Sequence, residues 1–432
     1  MSFVGPNPDA HSVQHVMDNF VKNRLAKALT EASGLLLAPQ RVFPLVQKII
    51  SDKARCTFEQ RQLYSYSTTK RRSSEVLKSV IRWIIEAQRP DGGIPAYYSL
   101  LTGYSESYPE VTGYIVPTLY DFACDAHDTI ALASAERATN WLLSLQMPSG
   151  AFPGGLHGHD ARPSIFNTGQ ILQGLVRAYL ETNRPEILQS ALAAGDWLIK
   201  TQQPDGSWSG PGAYQDVSHT YYSMVAWSLA ELSERVGECQ YIAAAGKNLD
   251  WLLSHFRPSG WIDGINLTGH PTYLHFVAYV LQGALECAIL QRRADAIDAV
   301  ASSAWVLLRK FETNKYLAGA CDADFKNGRR FACLTGNAQM SCVWLRLFEV
   351  TNDLRYLNAA LKMNELLKQS IPSGGPKGIA GGVAGSYPLW GRYQPLRYIS
   401  WGCKFLADAL LLEQRLTRAF QAPAIEALPC AS

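Results

Sequence analysis

Gln203-Pro204-Asp205-Gly206-Ser207-Trp208 joins two different kinds of chain, and the same turn recurs along the sequence. Further copies read Gln88-Arg89-Pro90-Asp91-Gly92-Gly93, Gln146-Met147-Pro148-Ser149-Gly150-Ala151-Phe152, Phe256-Arg257-Pro258-Ser259-Gly260-Trp261 and Gln369-Ser370-Ile371-Pro372-Ser373-Gly374. The period is about 55 residues, and the double-length gap before the last copy places a degenerate sixth one near residues 314–319. Proline cannot continue the helix before it, and glycine supplies the backbone freedom that a tight reversal needs. Each turn therefore ends one helix and prepares the next.

The chain before each turn is amphipathic, as Val76, Ile81, Ile84 and Ile85 show in the first repeat. Its counterparts span about 134–146, 187–202, 240–255, 293–311 and 354–369. After each turn comes a loop and then a more apolar helix, starting near 110, 166, 219, 274, 336 and 398. Amphipathic helices alternating with apolar ones predict an outer ring around an inner ring. The expected fold is all-α, an (α/α)6 toroid of six helical hairpins over residues 74–416. Residues 1–73 are expected to form an N-terminal helical extension and 417–432 a tail.

Composition narrows the function. Forty Lys and Arg against 37 Asp and Glu leave a net charge of +3, and nothing marks a nucleic-acid partner. The compact basic run Lys70-Arg71-Arg72 reads as a solvated approach to the first helix. Nine cysteines without CxxC pairs suggest reduced, mostly buried thiols and a cytoplasmic location. Met1 to Pro8 lacks the layout of a secretory signal, and no apolar run of about 18 residues predicts a membrane span. P-loop, GxGxxG and GxSxG motifs are absent. His157-Gly158-His159-Asp160 reads as a polar loop rather than a metal site, and no metal or cofactor is expected.

In a toroid, the loops feeding the inner helices converge on one end of the central cavity. Here those stretches are polar and aromatic: Ser107-Tyr108-Pro109-Glu110, Phe166-Asn167-Thr168-Gly169-Gln170, Ser218-His219-Thr220-Tyr221-Tyr222, Tyr273-Leu274-His275, Asn337-Ala338-Gln339 and Tyr393 to Trp401. A purely structural ring favours aliphatic residues there, because each buried polar group must find a partner. Singly, Asn167 and Asn337 read as helix caps and the tyrosines as core residues. Six repeats polar at one place read as a ligand site. Candidate catalytic groups are Tyr108, His219, Tyr222, Tyr273 and His275. Candidate substrate-binding groups are Glu106, Glu110, Asn167, Gln170, Trp261, Asp322, Asn337, Gln339, Tyr393, Arg397, Tyr398 and Trp401.

The turn Gln203-Pro204-Asp205-Gly206-Ser207-Trp208 resembles the QW repeat of the squalene/terpenoid cyclase and prenyltransferase superfamily, which implies the toroid over the repeats. Its chemistry does not carry over. Asp322-Ala323-Asp324 continues to Phe325 and lacks the last aspartate of the DxDD acid, and no Asp/Cys/His zinc set is recognisable. Gly169-Gln170 through Gly174-Leu175-Val176-Arg177-Ala178-Tyr179-Leu180 is similar to a segment of the C-terminal domain of D-glucuronyl C5-epimerases. Glu106-Ser107-Tyr108-Pro109 resembles that family's EEYP segment, with Ser107 in place of a glutamate and the two segments in reversed order. That resemblance implies roles for Glu106 and Tyr108.

The expected function is an enzyme on a uronic-acid-containing polysaccharide or glycan that removes the C5 proton, as an epimerase or lyase. Such a step needs a base, a partner for the developing enolate and, for epimerisation, an acid on the opposite face. His219 or His275, with Tyr108, Tyr222 or Tyr273, fit base and acid; Asn167, Gln170, Asn337 and Arg397 fit the carboxylate. Alternatives are glycoside hydrolysis with Glu110, Asp263 or Asp322 as carboxylates, an isoprenoid cyclase or transferase, and a non-catalytic glycan-binding protein. Oligomeric state is not legible.

Overall fold

The computed structural model describes residues 70–159, 162–265 and 271–421. The expected extension up to residue 69 and the tail from residue 422 lie outside the described residues. Six hairpins follow in order: α1 (Ser73–Ala87) with α2 (Pro109–Ala126), α3 (Thr129–Leu145) with α4 (Ile165–Thr182), and α5 (Pro185–Thr201) with α6 (Ser223–Val236). Then come α7 (Cys239–Leu253) with α8 (Leu274–Gln291), α9 (Ala294–Asn314) with α10 (Leu334–Thr351), and α11 (Leu354–Ser370) with α12 (Ser400–Gln421). The fold is an (α/α)6 toroid. Its last helix continues past residue 416, where the sequence reading ended the ring.

Odd-numbered helices bury one stripe. In α9 the buried set is Ala296, Val300, Ser303, Ala304, Leu307, Leu308 and Phe311, the spacing of one helical face. Even-numbered helices are buried nearly all round, as α8 shows from Val277 without interruption to Ala288. Among the described residues α8 is the one helix long and apolar enough to cross a membrane, but 78% of that stretch is buried within the protein. Its apolar surface is consumed by the inner ring.

Inner helices meet their ring neighbours in turn, and α12 returns to pack on both α2 and α1. Glycine makes these seams tight. A Cβ on Gly174 would stand 2.4 Å from the Gly113 carbonyl oxygen, and one on Gly283 2.5 Å from the Met224 amide nitrogen. At Gly336 it would lie 2.8 Å from the His275 amide nitrogen. Backbones approach where no side chain intervenes.

The two ends of the ring are built differently. At one end each inner helix passes to its outer neighbour through a left-handed residue, His127, Asn183, Gly237, Arg292 or Asn352, followed directly by an extended N-cap. Asp128 and Asp353 cap the helices that follow through their side chains. At the other end run the long loops containing the repeated turn. There Tyr97–Ser99 pairs antiparallel with Gly103–Tyr104 and with Arg397–Ile399, tying the first loop to the last. Arg71, expected to be solvated, donates to the carbonyls of Lys368 and Ile371 and so binds α11 to the start of the ring.

The recurring glutamine of the turn has a mechanical role. The Gln146 side-chain amide donates to Gly150 O within its own turn at 3.0 Å and to Ser190 O on the next outer helix at 2.8 Å. Gln88 does the same with Gly92 and Ser134, and Gln202 with Gly206 and Ala244. The third clamp is therefore Gln202, one residue before the glutamine that the sequence reading aligned. Gln146→Ala leaves both carbonyls without this donor, so it is expected to cost about 1–2 kcal/mol, read as a lower urea midpoint with unchanged helical content.

Candidate active site

Four of the six long loops and the first turns of α2, α4, α8 and α12 line a cavity of about 790 Å³. Tyr108 caps α2, whose first turns carry Glu110 and Tyr114 into it; α4 contributes Ser164, Phe166 and Asn167. A short 3₁₀ turn at Thr220–Tyr222 presents Tyr221 and Tyr222 before α6 begins. One face of α8 adds His275, Phe276 and Tyr279, and the last loop and α12 add Tyr393, Gln394 and Trp401. The rim holds Arg162, Tyr214, Gln215 and Asp216.

Aromatic rings dominate the wall and pack on one another. Phe166 stacks on Tyr222 with centroids 6.1 Å apart and meets Tyr221 and Tyr279 edge-on. Tyr393 accepts a hydrogen bond from the Trp401 indole at 2.8 Å, and Tyr222 accepts one from the Tyr214 amide at 2.8 Å. These bonds fix ring orientations that packing alone leaves free.

Within this wall Glu110 is the recessed carboxyl. The Tyr108 hydroxyl donates to it at 2.6 Å. Burial pushes the Glu110 carboxyl up to about 7, against the downward pull of that hydrogen bond. Both protonation states are thus accessible near neutral pH, which suits a general acid or base. Burial and the neighbouring carboxylate raise the Tyr108 phenol as well, far above its ordinary range, so it stays a donor.

His275 is neutral. Burial lowers it to about 3, although Gln339 favours the charged form. Its Nδ1 lies 2.5 Å from Gln339 Oε1, and Gln339 Nε2 donates onward to Gln282 Oε1 at 3.3 Å. The amide oxygen can only accept, so the proton sits on Nδ1 and Nε2 is left as an acceptor. His275 therefore contributes polarity and orientation rather than charge.

Of the residues singled out from sequence, Tyr108, Glu110, Asn167, Tyr222, His275, Tyr393 and Trp401 line the cavity. His219 lies behind the wall: its Nε2 donates to the Tyr214 carbonyl at 2.9 Å and its ring stacks on Tyr221. It pins the rim loop. Gln339 sits behind His275, and Asn337 donates back to the Cys333 carbonyl. Gln170 is fully buried in the ring with neither amide atom hydrogen-bonded. Tyr273 packs on Tyr393 and donates to the Arg392 carbonyl. Tyr398 belongs to the loop strand, where Arg397 covers the Tyr97 ring and donates to Gln394.

The remaining candidates stand apart from the cavity. Glu106 pairs with Arg89 at the surface, Trp261 packs on Phe325, Asp322 pairs with Arg329, and Asp263 with Arg257. The sequence reading passed over Phe166, Phe276, Tyr279 and Arg162. Tyr279 had a usable signal, lying one helical turn after His275 and hence on the same face. Among the described residues no group of three or more His, Cys, Asp or Glu is arranged to hold a metal; His157 packs against Trp141, and Asp160 lies outside the described residues. Cys287, Cys321, Cys333, Cys342 and Cys403 are buried free thiols.

No family model matches the chain, and no curated protein matches it. Solved structures do. An unsaturated glucuronyl hydrolase specific for heparin is 14% identical, with 80% of this chain and 98% of that one covered at a TM-score of 0.65. An unsaturated glucuronyl hydrolase from Bacillus sp. GL1 is 14% identical over 81% and 97% of the two chains, at 0.62. The cellobiose 2-epimerase of Bacillus thermoamylovorans is 12% identical over 80% and 97%, at 0.64. At these identities the likeness concerns the toroid alone.

Proposed function

We propose that this chain is a carbohydrate-active enzyme on uronic-acid-containing glycans, with Glu110 transferring the proton and Tyr108 positioning it. The observation that carries the reading is a single recessed carboxyl, poised near 7, inside an aromatic wall. Ring faces stabilise positive charge through their quadrupoles. They suit a transition state with cationic character at a sugar ring better than an anionic enolate, whose natural partner, Arg162, stands at the exposed rim.

That balance favours hydrolysis, and the structural neighbours that act on unsaturated glucuronyl ends supply a substrate of matching chemistry. Protonated Glu110 delivers its proton to C4 of a 4,5-unsaturated uronyl unit, and the C4=C5 electron pair forms the new C–H bond. Positive charge develops on C5 and the ring oxygen, beside Phe166, Tyr221 and Tyr222. Water adds to C5 and returns a proton to Glu110. The resulting hemiketal opens and releases the next sugar.

The second reading is removal of the C5 proton from a saturated uronyl unit. It is favoured by the same accessible protonation equilibrium, with Glu110 as base and neutral His275 or Tyr222 on the ring. Proton NMR in deuterated water separates the two. Unsaturated uronyl disaccharides should lose their double bond with deuterium entering at C4. Deuterium at C5 of saturated uronides, or new unsaturated ends, marks the second reading. If neither panel changes, the uronide reading fails.

A further inference from the structure

The opposite mouth of the ring, where the inner helices end, encloses a second cavity of about 900 Å³, within the range of about 300–1,000 Å³ common for small-molecule sites. It shares no lining residue with the first cavity. We infer that this second cavity is a binding site for a neutral saccharide, with Trp227 as the stacking face and Gln173, Gln282 and Glu231 as hydrogen-bonding groups.

Three observations carry this. Gln173 is 4% exposed, lines the cavity, and its Nε2 has no hydrogen-bond partner in the protein. A buried amide donor left unmade costs about 1–3 kcal/mol, and a ligand hydroxyl satisfies it. Trp227, half-buried on the same wall, offers the flat apolar surface that a sugar ring covers. Around it stand planar amide and carboxyl groups, each able to engage two neighbouring hydroxyls.

Charge selects the ligand class. The deep cations are already held: Arg346 by both oxygens of Glu286 at 2.7 and 2.8 Å, Arg177 by Asp121 at 2.9 Å and Lys404 by Asp408 at 2.5 Å. Arg415 pairs with Glu349 and Arg418 with Asp125, and Arg235 is exposed at the cavity's edge, so among the described residues a polyanion meets no unpaired cation deep inside it. Burial and the neighbouring Glu286 push Glu231 up to about 8, so it stands mostly protonated at neutral pH, as a donor rather than a charge. The wall therefore presents donors and a ring face to a ligand rich in hydroxyls.

This site is independent of the chemistry at Glu110, and the test keeps the two apart. Saturation-transfer NMR is run with cellobiose, maltose and N,N′-diacetylchitobiose against the full chain and its variants. At least one disaccharide should bind wild type and Glu110→Gln equally. Trp227→Ala and Gln173→Ala should each weaken that binding about tenfold, the worth of one good stacking or hydrogen-bonding contact, with uronide turnover unchanged. Should Trp227→Ala fail to fold, Gln173→Ala carries the test alone. Absence of binding to wild type, or equal binding by the folded variants, overturns the inference. Binding that vanishes in the variants while no uronide is turned over sustains this site and sinks the proposed activity.

Discussion

Glu110→Gln is expected to lower turnover by about 10²–10⁴-fold, the contribution of a positioned acid or base, without loss of folded structure. Glutamine keeps the shape and still accepts from Tyr108, so the aromatic wall has no cause to rearrange. The pH profile then identifies the role. If Glu110 delivers the proton, kcat/KM is full below about 7 and falls tenfold per unit above it; if it removes one, the slope is reversed. Stability carries the same signature with a defined sign. Between the ordinary carboxylate range and about 7 the folded chain holds a proton that the unfolded chain releases, so stability falls as pH rises through that window. The glutamine variant should lack this slope. A variant as active as wild type would remove Glu110 from the mechanism.

Gly283→Ala should produce a large loss of stability from a single methyl group. The added carbon would lie 2.5 Å from Met224 N, 2.5 Å from Ser223 C and 2.7 Å from Ser223 Oγ, so α6 and α8 must separate. Alanine's helical advantage of about 1 kcal/mol offsets part of an overpacking cost of about 1–3 kcal/mol, or more where backbone must move. A net loss of about 2 kcal/mol is expected in chemical denaturation. Gly374→Ala, with nothing within 4 Å of its added carbon, should stay within about 0.5 kcal/mol of wild type. Equal behaviour of the two would show that the glycine seams are not what sets the inner ring.

The repeat was legible because its punctuation is local. Proline and glycine stop helices whatever surrounds them, and the inner helices begin close to where the sequence placed them. Register within a turn was less legible. Gln202 and Gln203 are adjacent, and only the carbonyls of Gly206 and Ala244, brought together by folding, decide which one clamps. The site divides along the same line. His219 and His275 occupy matching places in their repeats, but a 3₁₀ turn precedes α6 and none precedes α8. That turn sends Tyr221 and Tyr222 inward and leaves His219 on the loop side. Glu106 and Glu110 lie one helical turn apart in number, yet Glu106 precedes the helix and faces solvent. Direction at a loop end is set by tertiary contacts that spacing does not encode.

The return of α12 onto α1 and α2 has a further meaning. In an open stack, each repeat answers to its neighbours, and the outermost one frays first. A closed circuit has no outermost repeat. Releasing any one hairpin strips the seams on both of its sides at once, and the Gln88, Gln146 and Gln202 clamps pass that disturbance from one outer helix to the next. Melting one repeat by itself is therefore penalised twice over, and the ring is built to come apart as a whole. The loops at its mouth can diverge in length and residue while standing on a base that does not loosen piecemeal.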